Sequence, residues 1–441
     1  MEARRVAFDV LLSVLKDKAY SNVALSKKLS EVNLTNQDKA LVSEIVYGTL
    51  NSYRFLQYQL TPHYEGRVKE WMKILLAMSL YPINNIDKIP NYAVVDEATK
   101  IATSKGGAFN GKVVNAILRK VTNSPTKQTI EMAEGPNRLA IETSHPTWLI
   151  RLWEAQFGSE ITYKMAMQNK EKNPLALRTN LAKTTTEKLK IKLANEGVVT
   201  KAGNLYKDAL IVTSGNPIQT PSFKEGLFYI QDEASMLPAL ALNPKSGAKV
   251  LDVCAAPGGK TLQIAEMVGE FGLVYAHDIY DHKIARIKEN MKRMEIAQVE
   301  PVLCSALNLH ELYKENSFDY VLVDAPCSGL GILRRHPEVR LTKQPEDLDE
   351  IIDIQKAVLK SAARFVKPGG RLVYSTCTVN RKENQRQVES FLNEHQDFNF
   401  DLEFKNRMPK HLHKNFEHDM LQIFPQDFNS DGFFIASLVK T

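Results

Sequence analysis

Cysteine is the side chain best suited to add reversibly to an electron-poor ring carbon, provided it reaches the thiolate form. Two of the four cysteines in this 441-residue chain stand where such chemistry is possible. Cys327 follows Asp324, Ala325 and Pro326 in DYVLVDAPCSGLG, and Cys377 lies near the end of LVYSTCT, so each thiol comes after an apolar run of strand character. Cytosine and uracil are poor nucleophiles at C5, but a thiolate added at C6 makes C5 enamine-like and able to take a methyl group from a sulfonium. A base must then remove the C5 proton so that the thiolate can leave. One thiol can attack while a second group serves elimination. An acid such as Asp324 can hold the ring at N3 and the exocyclic amine, stabilising charge that develops on addition. Residue types alone do not decide which thiol attacks. The competing reading of any cysteine is a small buried hydrophobe. It suits Cys254 and Cys304 better than Cys327 and Cys377, which sit at strand ends close to an acid.

Those strand ends need a frame. From residue 233 onward, short apolar segments (KVLDVC, LVYAHD, VEPVLC, FDYVLVD, RLVYST and FFIASLVK) alternate with helical ones, which predicts a mostly parallel, doubly wound sheet. In such sheets ligands bind beyond the carboxyl ends of the strands, near the switch in strand order. The first strand runs into CAAPGGKTLQIAEMV, which supplies Cys254, Ala255, Ala256, Pro257, Gly258, Gly259 and Lys260 as a small-residue loop opening a helix. Its glycines allow close approach of backbone to a ligand, and the helix amino terminus favours a carboxylate or phosphate. GGKT looks like the end of a phosphate-binding loop, but that pattern requires Gly at position 254, where this chain has Cys254. The dinucleotide pattern G-x-G-x-x-G also fails. Asp278 ends the second strand and is placed to accept hydrogen bonds from ribose hydroxyls; the rival reading makes it a cap for HKIARIKENMK. A ribose acceptor beside a carboxylate-friendly loop, without a phosphate cradle, fits S-adenosylmethionine.

The rest of the chain sets limits. It is 44% hydrophobic and 24% charged, an ordinary globular balance for two or three domains. No apolar run is long enough to cross a bilayer, and MEARRVAFDVLLSVLKD lacks the pattern of a signal peptide, so a cytoplasmic protein without membrane contact is expected. Four scattered cysteines do not make a disulfide framework or a zinc site, and no metal is expected. The net charge of +6 lies in the first 140 residues, with 19 basic against 13 acidic side chains; the remainder balances at 38 each. That bias hints at a polyanionic partner. Residues 1–140 read as all-helical, with apolar residues three and four apart in VAFDVLLSVL, LVSEIVYGTLNSYRFL and WMKILLAMSLYPI, stripes best explained as bundle core. Residues 141–232 read as a small α+β module of two strands around a helix, beginning near HPTWLIRLWEAQFG, and residues 233–441 as the α/β sheet domain.

DVCAAPGGKT, VDAPCSG and STCT resemble the motifs of RNA cytosine-C5 methyltransferases of the Nol1/Nop2/Sun family. YIQDEAS and NPLALRTN are similar to that family's preceding module, and the helical part, with VVNAILRK, is similar to a NusB-type RNA-binding domain. RRHPEVR resembles the branch that carries such a domain. The resemblance implies a Rossmann-like methyltransferase domain, S-adenosylmethionine as methyl donor and a cytosine in small-subunit (16S) ribosomal RNA as substrate, with no DNA partner and a monomeric state. By position it makes Cys377 the nucleophile at C6 and Cys327 the thiol that assists product release. DNA cytosine methyltransferases use the proline-adjacent cysteine for attack, so the inverse assignment stays open as chemistry. It maps the cofactor loop to Cys254–Lys260, the ribose acid to Asp278 and the catalytic-strand acid to Asp324, which also borders the cofactor. Where the family has an Asp near the adenine, this chain has Ser305, whose hydroxyl can serve as acceptor instead. The two rival functions are a DNA cytosine methyltransferase and a non-catalytic RNA-binding assembly or antitermination factor. Such an enzyme needs its base unstacked. Arg334, Arg335 and His336, and more loosely Arg4, Arg5, Lys27, Lys28, Arg119 and Lys120, are candidate phosphate contacts. Arg381, Lys382 and Glu383 read equally well as helix-terminus electrostatics.

Overall fold

The computed structural model describes residues 2–441 apart from 65, 67 and 124–133. Two compact units divide the chain: Met1–Glu171 with Leu333–Lys343, and Lys172–Ile332 with Gln344–Thr441.

The first unit is helical. Among its helices, Glu2–Leu15, Asn36–Leu60 and Glu70–Asn85 pack their apolar stripes together, burying Val10, Leu11, Val14, Ile45, Val46, Leu50, Leu75 and Leu76. Each such side chain contributes roughly 1.5–3 kcal/mol by leaving water. The second helix of these starts where Thr35 accepts the Asp38 N–H in its side chain, an N-cap that satisfies one orphan donor. HPTWLIRLWEAQFG forms the start of the helix Thr147–Gln168 and belongs to this unit, with Trp153 fully buried edge-on to His145. The segment RRHPEVR also belongs here. Glu338 accepts from Ser21 N–H at 3.0 Å and Ser21 Oγ at 2.8 Å, while Arg340, fully buried, donates to Asn51 O and Asn51 Oδ1, both at 2.9 Å.

The second unit holds two sheets. The smaller, in the order β2-β3-β1-β4, is antiparallel: β1 is Leu175–Thr179, β2 Val199–Ala202, β3 Ala209–Ser214 and β4 Phe228–Ile230. It closes on the helix Thr186–Asn195 over Leu177, Leu189, Leu193, Val198, Leu210 and Phe228. Four strands stand where the sequence suggested two, because β2 and β4 are only four and three residues long and show no periodicity.

The larger sheet has the order β11-β12-β13-β9-β8-β5-β6-β7, with β10 paired to β13. Its parallel centre is β5 (Lys249–Asp252), β6 (Leu273–Asp278), β7 (Val299–Leu303), β8 (Phe318–Asp324) and β9 (Val366–Thr376). Val321, Leu322 and Val323 of β8 are fully buried in succession, as expected for a strand covered on both faces. The last strand, β13 (Phe433–Lys440), runs antiparallel to β9 and carries the short β10 (Phe398–Phe400) and β12 (Met420–Ile423) on its other edge, with β11 (Phe416–Glu417) beyond. The chain leaves β5 toward β6 and β7, then returns to the opposite side of β5 for β8. The switch in strand order therefore falls at the carboxyl ends of β5 and β8, where Asp252 and Asp324 stand.

Candidate active site

The loop after β5 is built from backbone. Ala255 N–H donates to His277 O at 2.8 Å, and Gly258 N–H returns to Ala255 O at 2.8 Å. Gly258 has φ of 100°, a left-handed conformation that favours glycine, and the helix Gly259–Val268 starts directly after it. Ala255, Ala256 and Pro257 put no polar side chain in the way. Tyr229 Oη and Asn290 Nδ2 brace the loop by donating to Pro257 O at 3.3 and 3.1 Å. Arg178, fully buried in the smaller sheet, donates to Gln231 Oε1 at 3.0 Å, Glu266 Oε1 at 2.6 Å and Gly259 O at 3.4 Å. NPLALRTN and YIQDEAS thus meet at the helix that opens the loop.

Asp252 is buried at the base of this loop. Its Oδ2 accepts from Thr261 Oγ1 at 2.7 Å, its Oδ1 has no partner among the described residues, and burial pushes its carboxyl up to about 7. Cys254 is half-buried against the sheet core, and burial pushes its thiol up, as suits a packing residue. Asp278 Oδ1 accepts from Ile279 N–H at 2.8 Å and Tyr280 N–H at 3.4 Å, with Lys283 Nζ at 3.4 Å from Oδ2. The helix that follows starts only at Asp281, so Asp278 shapes the turn before it. Ser305 follows β7, next to Cys304, whose N–H donates to Asp278 O at 3.1 Å; the Ser305 hydroxyl accepts from Leu307 N–H at 3.2 Å. The exposed apolar side chains of Ile279 and Leu307 flank Asp278 and Ser305, a feature with no sequence motif to announce it.

The thiols lie one strand further along. Asp324 and Ser375 are in register across β8 and β9, and Ser375 Oγ donates to Asp324 Oδ1 at 2.7 Å. Lys260 Nζ donates to Asp324 Oδ2 at 2.7 Å and lies 5.2 Å from the centre of the Phe433 ring. Burial works against the Lys260 charge, but the Asp324 carboxylate outweighs it and raises the amine. The sequence grouped Lys260 with the cofactor loop; its backbone is there, while its ammonium engages Asp324 at the end of β8. Cys327 Sγ and Cys377 Sγ are 3.2 Å apart, both half-buried. The loops that carry them are locked by Gly331 N–H donating to Cys377 O at 3.0 Å and Gly432 N–H to Gly331 O at 2.8 Å. Cys327 is pushed well above the usual thiol range, first by its hydrogen bond with Cys377, then by burial and the charges of Cys377 and Glu383. Of the polar groups around this pair, Ser375 lies within STCT and Glu383 was read as helix-terminus electrostatics, whereas no motif singled out Gln355.

The suggested phosphate contacts separate. Arg4 is buried and paired with Glu97, and Arg334 is buried as well, so neither presents a free basic surface. His336 bonds Glu338 at 3.3 Å, Lys28 pairs with Glu31 at 3.3 Å, Arg381 with Glu417 at 3.1 Å and Lys382 with Asp349 at 3.4 Å. Arg5, Lys27, Arg119 and Lys120 are exposed.

A parallel sheet whose switch point carries a bare small-residue loop, followed by an acid at the next strand end, defines a Rossmann-like methyltransferase that uses S-adenosylmethionine. The site fits that cofactor: Asp252 Oδ1 is a buried acceptor without a donor among the described residues, Asp278 retains carboxylate lone pairs, and Gly258 adopts the left-handed turn that starts the helix. Three family models match the chain: one described as 16S rRNA methyltransferase RsmB/F over residues 239–439, the NusB family over 1–123, and an RsmF/B-like ferredoxin-like domain over 145–219. The probable ribosomal RNA small subunit methyltransferase B of Bacillus subtilis (strain 168) is 38% identical over 439 residues, covering 99% of this chain and 98% of its own. The corresponding protein of Synechocystis is 31% identical, with both chains covered in full. Among solved structures, PH0851 superposes with a TM-score of 0.83 at 25% identity over 100% of this chain and 98% of its own. A methyltransferase homolog from Pyrococcus horikoshii gives 0.60 at 26% identity over 70% of this chain and 100% of its own. The chain belongs to the 16S rRNA methyltransferase RsmB/F family.

Proposed function

We propose that this protein methylates C5 of a cytosine in small-subunit (16S) ribosomal RNA through a covalent bond between Cys377 and C6. The observation that carries this reading is the thiol pair at 3.2 Å beside the Asp324–Lys260 ion pair. The Cys254–Lys260 backbone, Asp278 and the Ser305 hydroxyl would hold S-adenosylmethionine, which would supply an electrophilic methyl group on a sulfonium sulfur. Cys377 adds as thiolate to C6, and electron density moves to C5, which can then bond to carbon. Asp324 accepts from the exocyclic amine, and from N3 when that nitrogen carries a proton; each of its oxygens already accepts one hydrogen bond and has a lone pair left. Lys260 and Ser375 fix that carboxylate in place. After C5 takes the methyl group, with S-adenosylhomocysteine as the leaving group, the thiolate form of Cys327 or a water takes the C5 proton. The C–H electron pair re-forms the C5–C6 double bond, and the Cys377–C6 bond breaks to return the thiolate and the aromatic ring. Cys327, 3.2 Å from the Cys377 sulfur, assists that release.

The NusB-like and ferredoxin-like matches, and the relatives named for small-subunit ribosomal RNA, support RNA over DNA as substrate and a cytosolic setting. Among the described residues no helix is long and apolar enough to cross a membrane. The exposed Arg5, Lys27, Arg119 and Lys120 are then candidates to hold phosphates, with residues 1–140 and 141–232 gripping RNA and 233–441 performing the chemistry. The test uses Cys327→Ser and Cys377→Ser with S-adenosylmethionine and small-subunit rRNA, read on a denaturing gel. An RNA-linked band that builds up with Cys327→Ser and vanishes with Cys377→Ser is expected. The reverse pattern would move the nucleophile to Cys327, and no adduct or methylation from any form would favour a binding factor.

A further inference from the structure

Glu383 is fully buried between the two thiol-bearing loops. On the loop after β8, Ser328 donates to it from N–H at 2.8 Å and from Oγ at 2.6 Å. On the loop after β9, Thr378 Oγ1 donates at 3.4 Å and Asn380 Nδ2 at 3.0 Å. Gln355 Nε2 donates at 3.1 Å, and also at 2.9 Å to Pro326 O, the residue before Cys327. The residue following each cysteine is thus tied to one carboxylate. Ser328 Oγ and Thr378 Oγ1 are themselves 2.8 Å apart, and Tyr374 Oη donates to the Glu383 carbonyl at 2.7 Å. Five donors converge on two acceptor oxygens. A glutamine, with one oxygen and a donating amide, cannot accept the same set. A scaffold alone does not require a negative charge at this point, and the charge lies against the backbone N–H of Ser328, the residue that follows Cys327.

We propose that Glu383 is a positioning residue for the two-thiol reaction: its carboxylate clamps the Cys327 and Cys377 loops together and puts a negative charge one residue away from Cys327. The inference rests on the proposed cytosine chemistry. The neighbouring titratable groups act alongside it: Cys377 bonded to Cys327, Tyr374 beneath both, and Asp324 with Lys260 at the end of β8. Charge near a thiol shifts the balance between thiol and thiolate in the direction that reduces repulsion. Removing Glu383's charge therefore makes the Cys327 thiolate easier to form and loosens the hold on both loops.

Iodoacetamide labelling of the full-length protein, without RNA or cofactor, reads this directly when each cysteine is followed by peptide mass spectrometry across pH. In Glu383→Gln the Cys327 labelling midpoint should fall by about one pH unit or more, with Cys254 unchanged as an internal reference. At saturating S-adenosylmethionine and rRNA, kcat should drop by about tenfold or more, with cofactor affinity unaltered. Glu383→Asp keeps the charge and shortens the reach, so it should retain the Cys327 profile while losing kcat. It also serves if the glutamine variant fails to fold. An unmoved Cys327 profile in Glu383→Gln, or an equal shift at Cys254 with a lower melting temperature, would overturn the proposal. Wild-type protein inactive on rRNA would count against the cytosine reaction alone, since the labelling profiles still decide the role of Glu383.

Discussion

Cys327 and Cys377 occupy chemically different surroundings although their sulfurs are 3.2 Å apart. Cys327 follows the loop that Glu383 and Gln355 hold from the buried side, whereas Cys377 lies close enough to Lys260 for its thiolate charge to favour the ammonium. Asp324 faces the same ammonium and accepts from Ser375 on its other oxygen. Asp324→Asn keeps the shape and removes the charge, leaving Lys260 without its partner and the ring without a full acceptor. Its kcat at saturating cofactor should fall on the order of 10²–10³-fold, the scale seen when one preorganised electrostatic group is lost. Methyl incorporation within a few-fold of wild type would exclude Asp324 from the ring-holding role. These residue types could be picked out in the sequence because each terminates an apolar strand. Glu383 was read there as helix-terminus electrostatics, because in the polar stretch KENQRQ a buried acid and a solvated one look alike.

At the scale of elements, two loops that belong to different strands must meet closely. A Cβ on Gly331 would lie 2.1 Å from Gly432 O and 2.7 Å from Cys377 O, positions that backbone must vacate. Gly331→Ala is therefore expected to lose about 1–3 kcal/mol of stability by overpacking and to displace the Cys377 loop. Thermal melting and methylation measured on the same preparation should both decline; full activity at an unchanged melting temperature would show that the loops do not need this contact. The parallel strands β5 to β9 were legible as apolar runs, and so was the small-residue loop. The antiparallel edge was less so. β10, β11 and β12 span three, two and four residues, and the pairing that makes them strands comes from β13.

At the scale of the whole molecule, buried ionisable groups govern stability in both units. In the helical unit Arg340 donates to Asn51 and, at 3.4 Å, to Thr143 O, and burial lowers its pKa to about 10, still charged at neutral pH. Arg340→Ala strands those acceptors and should cost about 3 kcal/mol, seen as a lower denaturant midpoint. An unchanged midpoint would mean water replaces the guanidinium. In the sheet unit burial lowers His277 to about 4. The unfolded chain takes up this proton near pH 6.5 and the folded one only near 4, so stability present above pH 6.5 is lost as pH falls toward 4. The loss amounts to about 3 kcal/mol. Asp252, raised to about 7 by burial, works oppositely: its unfolded form ionises from about pH 3.8, so its contribution falls as pH rises to 7. The His277 effect is therefore read as the difference between wild type and His277→Asn, which should grow with pH between 4 and 6.5. A flat difference would place the His277 proton elsewhere.

The sequence by itself determined the chemistry on offer: two thiols, the acids Asp278 and Asp324, a glycine loop opening a helix, and apolar runs whose alternation requires a parallel sheet. Those are local properties, fixed by residue type and by the periods of helix and strand, about 3.6 and 2 residues. Only the tertiary structure decided which groups touch. It placed Lys260 on Asp324 across 64 residues, brought Cys327 to Cys377 across 50, and drew RRHPEVR into the helical unit through Ser21 and Asn51. Burial then separated candidates that composition had left equal, turning Arg4 and Arg334 inward while Arg5 and Arg119 stayed exposed. Hydrogen bonds and desolvation depend on distances between remote segments, and these are set by sheet order and packing rather than by neighbours along the chain.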